Sequence, residues 1–214
     1  MEVEKISPPV TPFLQIKLDQ EVVDYLWKII DIAKTTNENY KSKLVGNISQ
    51  SLLLEDIDSF FFKSVCIPLV KYYRKNNSIG DDPVSQNALM GPESQLVLDQ
   101  FWVNYQYKTE FNPYHDHTGV YSFAIWLKIP YEWEDQKKLP QHIDLLDRNI
   151  KAGCFEFEYN DSLGGILNLR FKLSSEYEGT MVFFPAKLRH CVYPFFKTDE
   201  PRISIAGNLS YLPG

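Results

Sequence analysis

The hydrophobic pattern of the chain changes from helical to strand-like near residue 96, and this change limits the possible folds more than any other feature. Beyond that point, short apolar segments follow one another, and several alternate apolar with polar residues. A period of two residues is typical of β-strands with one buried face. The segments predicted as strands are 96–107, 120–129, 154–159, 166–173, 180–185 and 202–209.

The N-terminal part follows a different period. A short alternating strand is predicted at 13–18, and apolar residues at three- and four-residue steps predict an amphipathic helix over about 20–35. A second helix is predicted over 52–75, where Pro68 should kink or interrupt it. Residues 76–95 are polar and are predicted to form an irregular loop.

Helices followed by about eight short strands predict an α+β protein. The strands are expected to form an antiparallel barrel or a double-sheet jelly roll, braced by the N-terminal helices. A chain of 214 residues can bury one substantial core. We therefore expect a single domain over 1–214, with 1–95 as a mainly helical support and 96–214 as the barrel.

Composition excludes several classes of function. The formal net charge of −6 argues against nonspecific binding to nucleic acid, which requires a basic surface. The three cysteines form no CxxC pair, so free thiols in a reducing compartment are expected. No apolar run approaches the length of a membrane span or resembles a signal peptide. These features predict a soluble, cytoplasmic protein.

Three of the four histidines are placed where they could bind a metal ion. His115 and His117 stand two residues apart, and side chains with this spacing point the same way on an extended segment. His190 follows a short, very apolar strand. Two imidazoles directed at one point, with a distant third, are typical of a transition-metal site with open coordination positions. The sequence therefore predicts His115, His117 and His190 as the metal-binding and catalytic residues.

The last strand could hold an anionic ligand near this metal. Arg202 and Ser204 share one face, with Asn208 further along, and a guanidinium matches the geometry of a carboxylate. In the strand over 96–107, Asn104 and Tyr105 lie on opposite faces, and the pattern does not show which face lines the barrel. Arg202, Ser204, Asn208, Asn104 and Tyr105 are all predicted cofactor-binding residues.

About half of the chain, from Trp102 to Leu209, resembles the 2-oxoglutarate- and Fe(II)-dependent oxygenases. It is most similar to the small oxygenases of T4-like cyanophages and of some bacteria. The blocks that carry the resemblance are Asn104-Tyr105-Gln106, Asn112-Pro113-Tyr114-His115-Asp116-His117, Ser122-Phe123, Ile129-Pro130, Gly179-Thr180-Met181-Val182-Phe183-Phe184-Pro185, His190-Cys191-Val192-Tyr193-Pro194 and Arg202-Ile203-Ser204-Ile205-Ala206-Gly207-Asn208-Leu209.

This resemblance implies a double-stranded β-helix fold and a dioxygenase that requires Fe(II), 2-oxoglutarate and O2. It implies that iron chelates 2-oxoglutarate, whose far carboxylate meets the arginine, and that succinate and CO2 are released. The implied reaction is hydroxylation of a peptide or protein side chain or of a small molecule. If the chain is phage-encoded, its cytoplasm is that of the host.

The first metal-binding motif departs from the family pattern. The family has an aspartate two residues after the first histidine, and this chain has His117 there. Three arrangements stay open: three histidine ligands, Asp116 together with His115 and His190, or only two protein ligands. A neutral ligand in place of a carboxylate would raise the Fe(III)/Fe(II) potential and alter the reactivity towards oxygen.

Two other classes of function are compatible with parts of the pattern. A cupin-like metalloenzyme that does not use 2-oxoglutarate would also have a His-x-His pair, but residues 118–129 lack the glutamate that cupins usually add. A noncatalytic β-barrel binding protein would account for the departure at His117. The expected partner is a peptide, protein or small-molecule substrate, without nucleic acid or membrane, and the sequence does not indicate an oligomeric state.

Overall fold

The structure is a computed structural model that describes residues 13–36, 38–76, 95–161 and 163–212. In chain order, its strands are β1 (Leu14–Lys17), β2 (Gln50–Leu53), β3 (Gln95–Gln106), β4 (Asn112–His115), β5 (Tyr121–Lys128), β6 (Cys154–Asn160), β7 (Ile166–Lys172), β8 (Thr180–Pro185), β9 (Arg189–Val192) and β10 (Arg202–Leu212). Its α-helices are α1 (Gln20–Thr36), α2 (Ile67–Asn76) and α3 (Trp133–Lys137).

The strands form two antiparallel sheets. The major sheet has the order β1-β8-β5-β10-β3-β2, and the minor sheet has the order β4-β9-β6-β7. Aromatic side chains join the two inner faces, with ring centroids 5.5 Å apart for Trp126 and Phe155 and 4.9 Å apart for Phe157 and Phe184. This arrangement is the double-stranded β-helix, so the predicted fold class is confirmed.

A second apolar cluster covers the other face of the major sheet. The buried stripe of α1 consists of Leu26, Ile29, Ile30 and Ala33. It belongs to the same cluster as the outward-facing residues of β3, β5 and β10, for example Val103. The helices therefore support the major sheet from outside, and the interior between the sheets remains for the site.

The N-terminal part differs from the prediction in two respects. The helix predicted over 52–75 starts too early, because Gln50–Leu53 is a strand that pairs with β3. A π-helical turn at Phe62–Cys66 comes directly before α2. Pro68 stands in the first turn of α2, where its missing N–H costs least. The turn before it therefore takes the place of the predicted break.

The division into a helical support and a catalytic barrel stays a prediction. Two strands of the support, β1 and β2, pair with β8 and β3 of the barrel. The loop predicted over 76–95 lies outside the described residues except at its two ends. None of the helices in the described ranges combines the length and the hydropathy needed to cross a bilayer.

Candidate metal and cosubstrate site

Three histidines meet at one end of the space between the sheets. His115 at the end of β4 lies opposite His190 on β9. His117 follows on the segment after β4, where its backbone N–H donates to Ala186 O. One ligand atom from each histidine lies within 4.8 Å of those of the other two. In the part of the chain that the structure describes, no other group of His, Cys, Asp or Glu has such an arrangement.

Each of the three imidazoles is oriented by a hydrogen bond at Nδ1. Nδ1 lies 2.7 Å from Pro113 O in His115 and 3.0 Å from Leu188 O in His190. In His117 it lies 2.6 Å from Asn208 Oδ1. A carbonyl oxygen can only accept, so these contacts assign the proton to Nδ1 and leave Nε2 as a free lone pair. Second-shell bonds of this kind commonly fix the tautomer of metal-binding histidines.

The site also keeps the imidazoles neutral. Burial is the main cause that lowers the pKa of all three histidines, and the pKa of His117 falls to about 4. The neighbouring imidazoles lower the pKa of His117 and His190 further, since two positive charges in one small space repel each other. Neutral imidazole is the form that binds a metal, so no proton must be displaced at neutral pH.

The geometry is compatible with a transition-metal ion. A metal–imidazole distance of about 2.1 Å would place neighbouring ligand atoms about 3 Å apart. The separations of up to 4.8 Å therefore require only a small closure of the three side chains around an ion. Imidazole donors suit Fe(II), and three protein ligands leave positions for further ligands.

Asp116 does not take part in this group. Its Oδ1 lies 2.9 Å from Lys187 Nζ, and both side chains are largely exposed. Asp116 stands between His115 and His117 on an extended segment, so its side chain points the opposite way. The alternative arrangement with Asp116 as a ligand is therefore not the one in this structure, which brings His117 to the centre.

Arg202 lies deeper in the same space, at the start of β10. Only 1% of its surface is exposed. Its guanidinium donates to Tyr131 Oη at 2.5 Å and to Gln106 Oε1. Burial raises the pKa of Tyr131 to about 12, so the phenol stays neutral, and its hydroxyl donates onward to Gly153 O at 2.9 Å. Among the described residues, no carboxylate forms an ion pair with Arg202.

One cavity of about 270 Å³ connects the histidines to the arginine. Ser204, Asn208 and Asn104 line it together with Arg202 and the three histidines. Asn208 also accepts hydrogen bonds through Oδ1 from His117 and from Ser122, at 2.7 Å for the latter. The predicted residues of β10 thus share one cavity with the predicted metal ligands.

Tyr105 is not at this cavity, and its prediction as a cofactor-binding residue needs correction. Alternation along β3 directs Trp102 and Asn104 into the cavity and Tyr105 into the apolar cluster under the helices. Its hydroxyl is buried there without a hydrogen-bond partner among the described residues. The period of two separates the two faces but does not tell which one a helix covers.

Several residues of the site were not predicted. Gln106 and Tyr131 hold the guanidinium, and Ser122 bonds to the amide that orients His117. Ser51 of β2 donates to Asn104 Oδ1 at 2.7 Å. Gln106 has the same parity as Asn104 on β3, so that signal was present in the sequence. Nothing local indicates the position of Tyr131 or Ser51.

Comparison with known proteins agrees with this geometry. Residues 100–208, about half of the chain, match the family model described as "Putative 2OG-Fe(II) oxygenase". The matched range contains all three histidines and Arg202. No curated protein matches the chain.

Solved structures of 2-oxoglutarate/Fe(II) oxygenases share the fold. An oxidoreductase of this family from Burkholderia pseudomallei has a TM-score of 0.50 at 12% identity, over 92% of this chain and 84% of its own. A Pseudomonas putida prolyl-4-hydroxylase has a TM-score of 0.48 at 13% identity, over 92% and 91%. The α-ketoglutarate-dependent epimerase SnoN from nogalamycin biosynthesis has a TM-score of 0.46 at 13% identity, over 94% and 78%.

Family match, fold and histidine group agree on one assignment. The resemblance of the sequence blocks around His115, His190 and Arg202 to these oxygenases is therefore confirmed at the level of the family. The chain belongs to the 2-oxoglutarate- and Fe(II)-dependent oxygenases, oxidoreductases that use Fe(II), 2-oxoglutarate and O2.

Proposed function

We propose that His115, His117 and His190 hold Fe(II), that Arg202 binds the far carboxylate of 2-oxoglutarate, and that the enzyme hydroxylates a peptide or protein side chain or a small molecule. The single observation that carries this proposal is the buried, uncompensated guanidinium of Arg202. It opens onto the same cavity as the three histidines.

The environment of Arg202 is that of a binding group rather than of a structural ion pair. Moving a charge out of water is costly unless an opposite charge compensates it. Tyr131 and Gln106 are neutral acceptors, so they orient the guanidinium but do not neutralise it. A carboxylate that entered the cavity would supply the missing charge through a bidentate pair.

The remaining residues divide the work between binding and exclusion of water. Ser204 shares the face of Arg202, and its hydroxyl is suited to donate to the same carboxylate. Trp126 and Phe184 line the cavity with apolar surface, which strengthens the electrostatic contacts inside it. Bound iron with 2-oxoglutarate and O2 supplies the oxidising chemistry, and the protein orients the reactants and limits side reactions.

The substrate approaches from the side of the cavity formed by the segment before β2. Lys43, Leu44 and Val45 line the cavity there, together with Asp116 and Thr118. Backbone atoms and both apolar and charged side chains are present in this region, which suits a peptide or protein side chain as well as a small molecule. The target carbon must reach the open positions beside the histidines.

The test is an anaerobic titration of the metal-free protein with Fe(II) and then with 2-oxoglutarate, followed by visible absorption. We expect a weak charge-transfer band that requires both additions. In Arg202→Met, the midpoint for 2-oxoglutarate should rise about 100-fold, equivalent to about 2.7 kcal/mol, while Fe(II) binding is retained.

Arg189→Met is the matched control, because Arg189 is an exposed arginine next to His190 that pairs with Glu158 and does not line the cavity. It should leave the midpoint unchanged. Iron binding without the band would indicate a cupin-like site, and failure to bind iron would refute the metal assignment. An equal shift in both variants would refute the specific role of Arg202.

A further inference from the structure

A buried carboxylate lies on the opposite side of the minor sheet from the cavity. Glu156 stands on β6 between Phe155 and Phe157, whose rings face the interior and contact the ring of His190, with centroids 5.5 and 6.0 Å away. Alternation therefore directs Glu156 to the outer face of the sheet. Its residue surface is nevertheless fully buried.

Four side chains surround this carboxylate. Arg170 Nε donates to Oε2 at 2.7 Å, and Tyr193 Oη donates to Oε1 at 3.2 Å. Tyr114 Oη also donates to Oε1, and Lys151 Nζ lies 3.6 Å away. The buried negative charge is thus compensated and fully hydrogen-bonded, which is the condition for tolerating it.

The contact with Tyr114 connects this carboxylate to a predicted metal ligand. Tyr114 directly precedes His115 on β4, so His115 points inwards and Tyr114 points outwards. The residue of β9 that pairs with Glu156 is Cys191, the neighbour of His190. The side chain of Tyr114 therefore crosses β9 to reach β6, and it spans both histidine-bearing strands.

The backbone alone holds β4 weakly. It is an edge strand, and its register with β9 contains only the pairs Asn112–Val192 and His115–His190, with an irregularity between them. Few ladder bonds therefore fix the position of His115 relative to His190. A side-chain bond to a third strand supplies a constraint that the ladder lacks.

The protonation state of Glu156 strengthens this bond. Burial acts to raise the pKa of Glu156, but the hydrogen bonds from Tyr114 and Arg170 outweigh it, and the pKa lies below its usual value. The carboxylate therefore stays ionised at neutral pH. A charged acceptor makes a stronger hydrogen bond to a phenol than a neutral one does.

We propose that Glu156 is a positioning residue for the metal centre, and that it acts through the hydroxyl of Tyr114 to hold β4 where His115 faces His190. This inference rests on the proposed role of His115 as an iron ligand. Glu156 touches neither the cavity nor the histidines' ligand atoms, so it acts only through the strands.

The experiment compares Tyr114→Phe with Tyr25→Phe. Each removes one phenol hydroxyl that donates to a carboxylate, since Tyr25 Oη donates to Asp56 Oδ1 at 2.6 Å. Tyr25 lies on α1, outside the minor sheet. Both variants should lose comparable stability, so a difference between them reports on position rather than on stability.

Fe(II) affinity is measured anaerobically well below the melting temperature, and kcat is compared with the KM for 2-oxoglutarate where turnover is detectable. We expect Tyr114→Phe to weaken Fe(II) binding about five- to tenfold, at the lower end of second-shell effects. It should lower kcat without changing this KM, because Arg202 lies on the other sheet. Tyr25→Phe should change neither quantity.

Glu156→Gln extends the test, since the amide keeps an acceptor for Tyr114 but removes the charge. It should weaken Fe(II) binding in the same direction, and if it fails to fold, Tyr114→Phe alone decides. Equal Fe(II) affinity in wild type and Tyr114→Phe would overturn the inference while leaving the proposed function intact. Absence of iron binding in the wild type would overturn both.

Discussion

The two sheets of this enzyme differ in how firmly they are held and in what they contribute to the site. The major sheet has long central strands, with 12 residues in β3 and 11 in β10, and it is covered by helices on one side and by the minor sheet on the other. In the minor sheet, β4 and β9 have four residues each. The major sheet supplies Arg202, and the minor sheet supplies His115 and His190. The proposed cosubstrate anchor is thus built on the stiffer element and the proposed metal ligands on the weaker one.

The largest expected effect separates the two apolar clusters. Phe157→Ala and Phe183→Ala each remove a buried ring, exposed by 1% and 0%, and each should cost about 4 kcal/mol of unfolding free energy. Phe183 faces the helices, whereas Phe157 contacts His190 between the sheets. Only Phe157→Ala should also weaken Fe(II) binding.

Denaturant melts and anaerobic Fe(II) titrations of the folded variants would measure both quantities. An equal loss of iron affinity in the two variants would show that stability, rather than the minor sheet, controls the metal centre.

The contrast between the sheets also explains what could be predicted from sequence. β3, β5 and β10 are long enough to show alternation, so their existence and the face of Arg202 and Asn208 were predicted. β4 and β9 have too few residues to show a period, although the histidines on them were noted. Their pairing, which brings His115 opposite His190, is a long-range contact that no local pattern encodes.

Acid should destabilise the metal-free protein through the histidines between the sheets. The pKa of His117 is about 4 in the folded state against an ordinary value of 6.5, because burial disfavours the charged form. The unfolded state therefore binds more protons between these values, and stability falls as the pH falls from 6.5 to about 4. The slope should be about 1.4 kcal/mol per pH unit for each such histidine.

Thermal or denaturant melts of the metal-free protein between pH 7.5 and 5 would measure this slope. His117→Gln removes one titrating group and should reduce the slope by about one proton. An unchanged slope in this variant would contradict the assignment of the low pKa to His117.

A smaller effect is expected where the two sheets are joined by a hydrogen bond. Asn208 on β10 accepts from Nδ1 of His117. Asn208→Ala should weaken Fe(II) binding about tenfold, because the imidazole loses the partner that fixes its tautomer. The 2-oxoglutarate midpoint at saturating iron, followed by the charge-transfer band, should change much less. A larger effect on 2-oxoglutarate than on iron would place Asn208 with the cosubstrate instead.

The smallest expected effect tests the residue that the family pattern left open. Asp116→Asn removes an exposed ion pair with Lys187, and it should change stability and Fe(II) affinity by less than about 0.5 kcal/mol. Isothermal titration with Fe(II) under anaerobic conditions would measure it, with His117→Gln as the comparison. A greater loss in Asp116→Asn than in His117→Gln would restore the arrangement of two histidines and one carboxylate.

The site residues show the same limit of sequence reasoning at finer scale. The spacing of His115 and His117 was sufficient to predict that they point together, because both lie on one extended segment. Tyr105 was misplaced, because alternation defines two faces without telling which one the helices cover. Tyr131 could not be predicted, since its contact with Arg202 joins residues 71 positions apart.

The isolated positive charge of Arg202 has a consequence for the lifetime of the protein in a cell. A ligand that compensates a buried charge binds the folded chain and not the unfolded one, and so it stabilises the fold. On the proposed assignment, each tenfold rise of 2-oxoglutarate above its Kd adds about 1.4 kcal/mol to the free energy of unfolding. Resistance to proteases that cleave the opened chain would then rise and fall with central carbon metabolism, and a starved cell would hold less of this enzyme without any change in its synthesis.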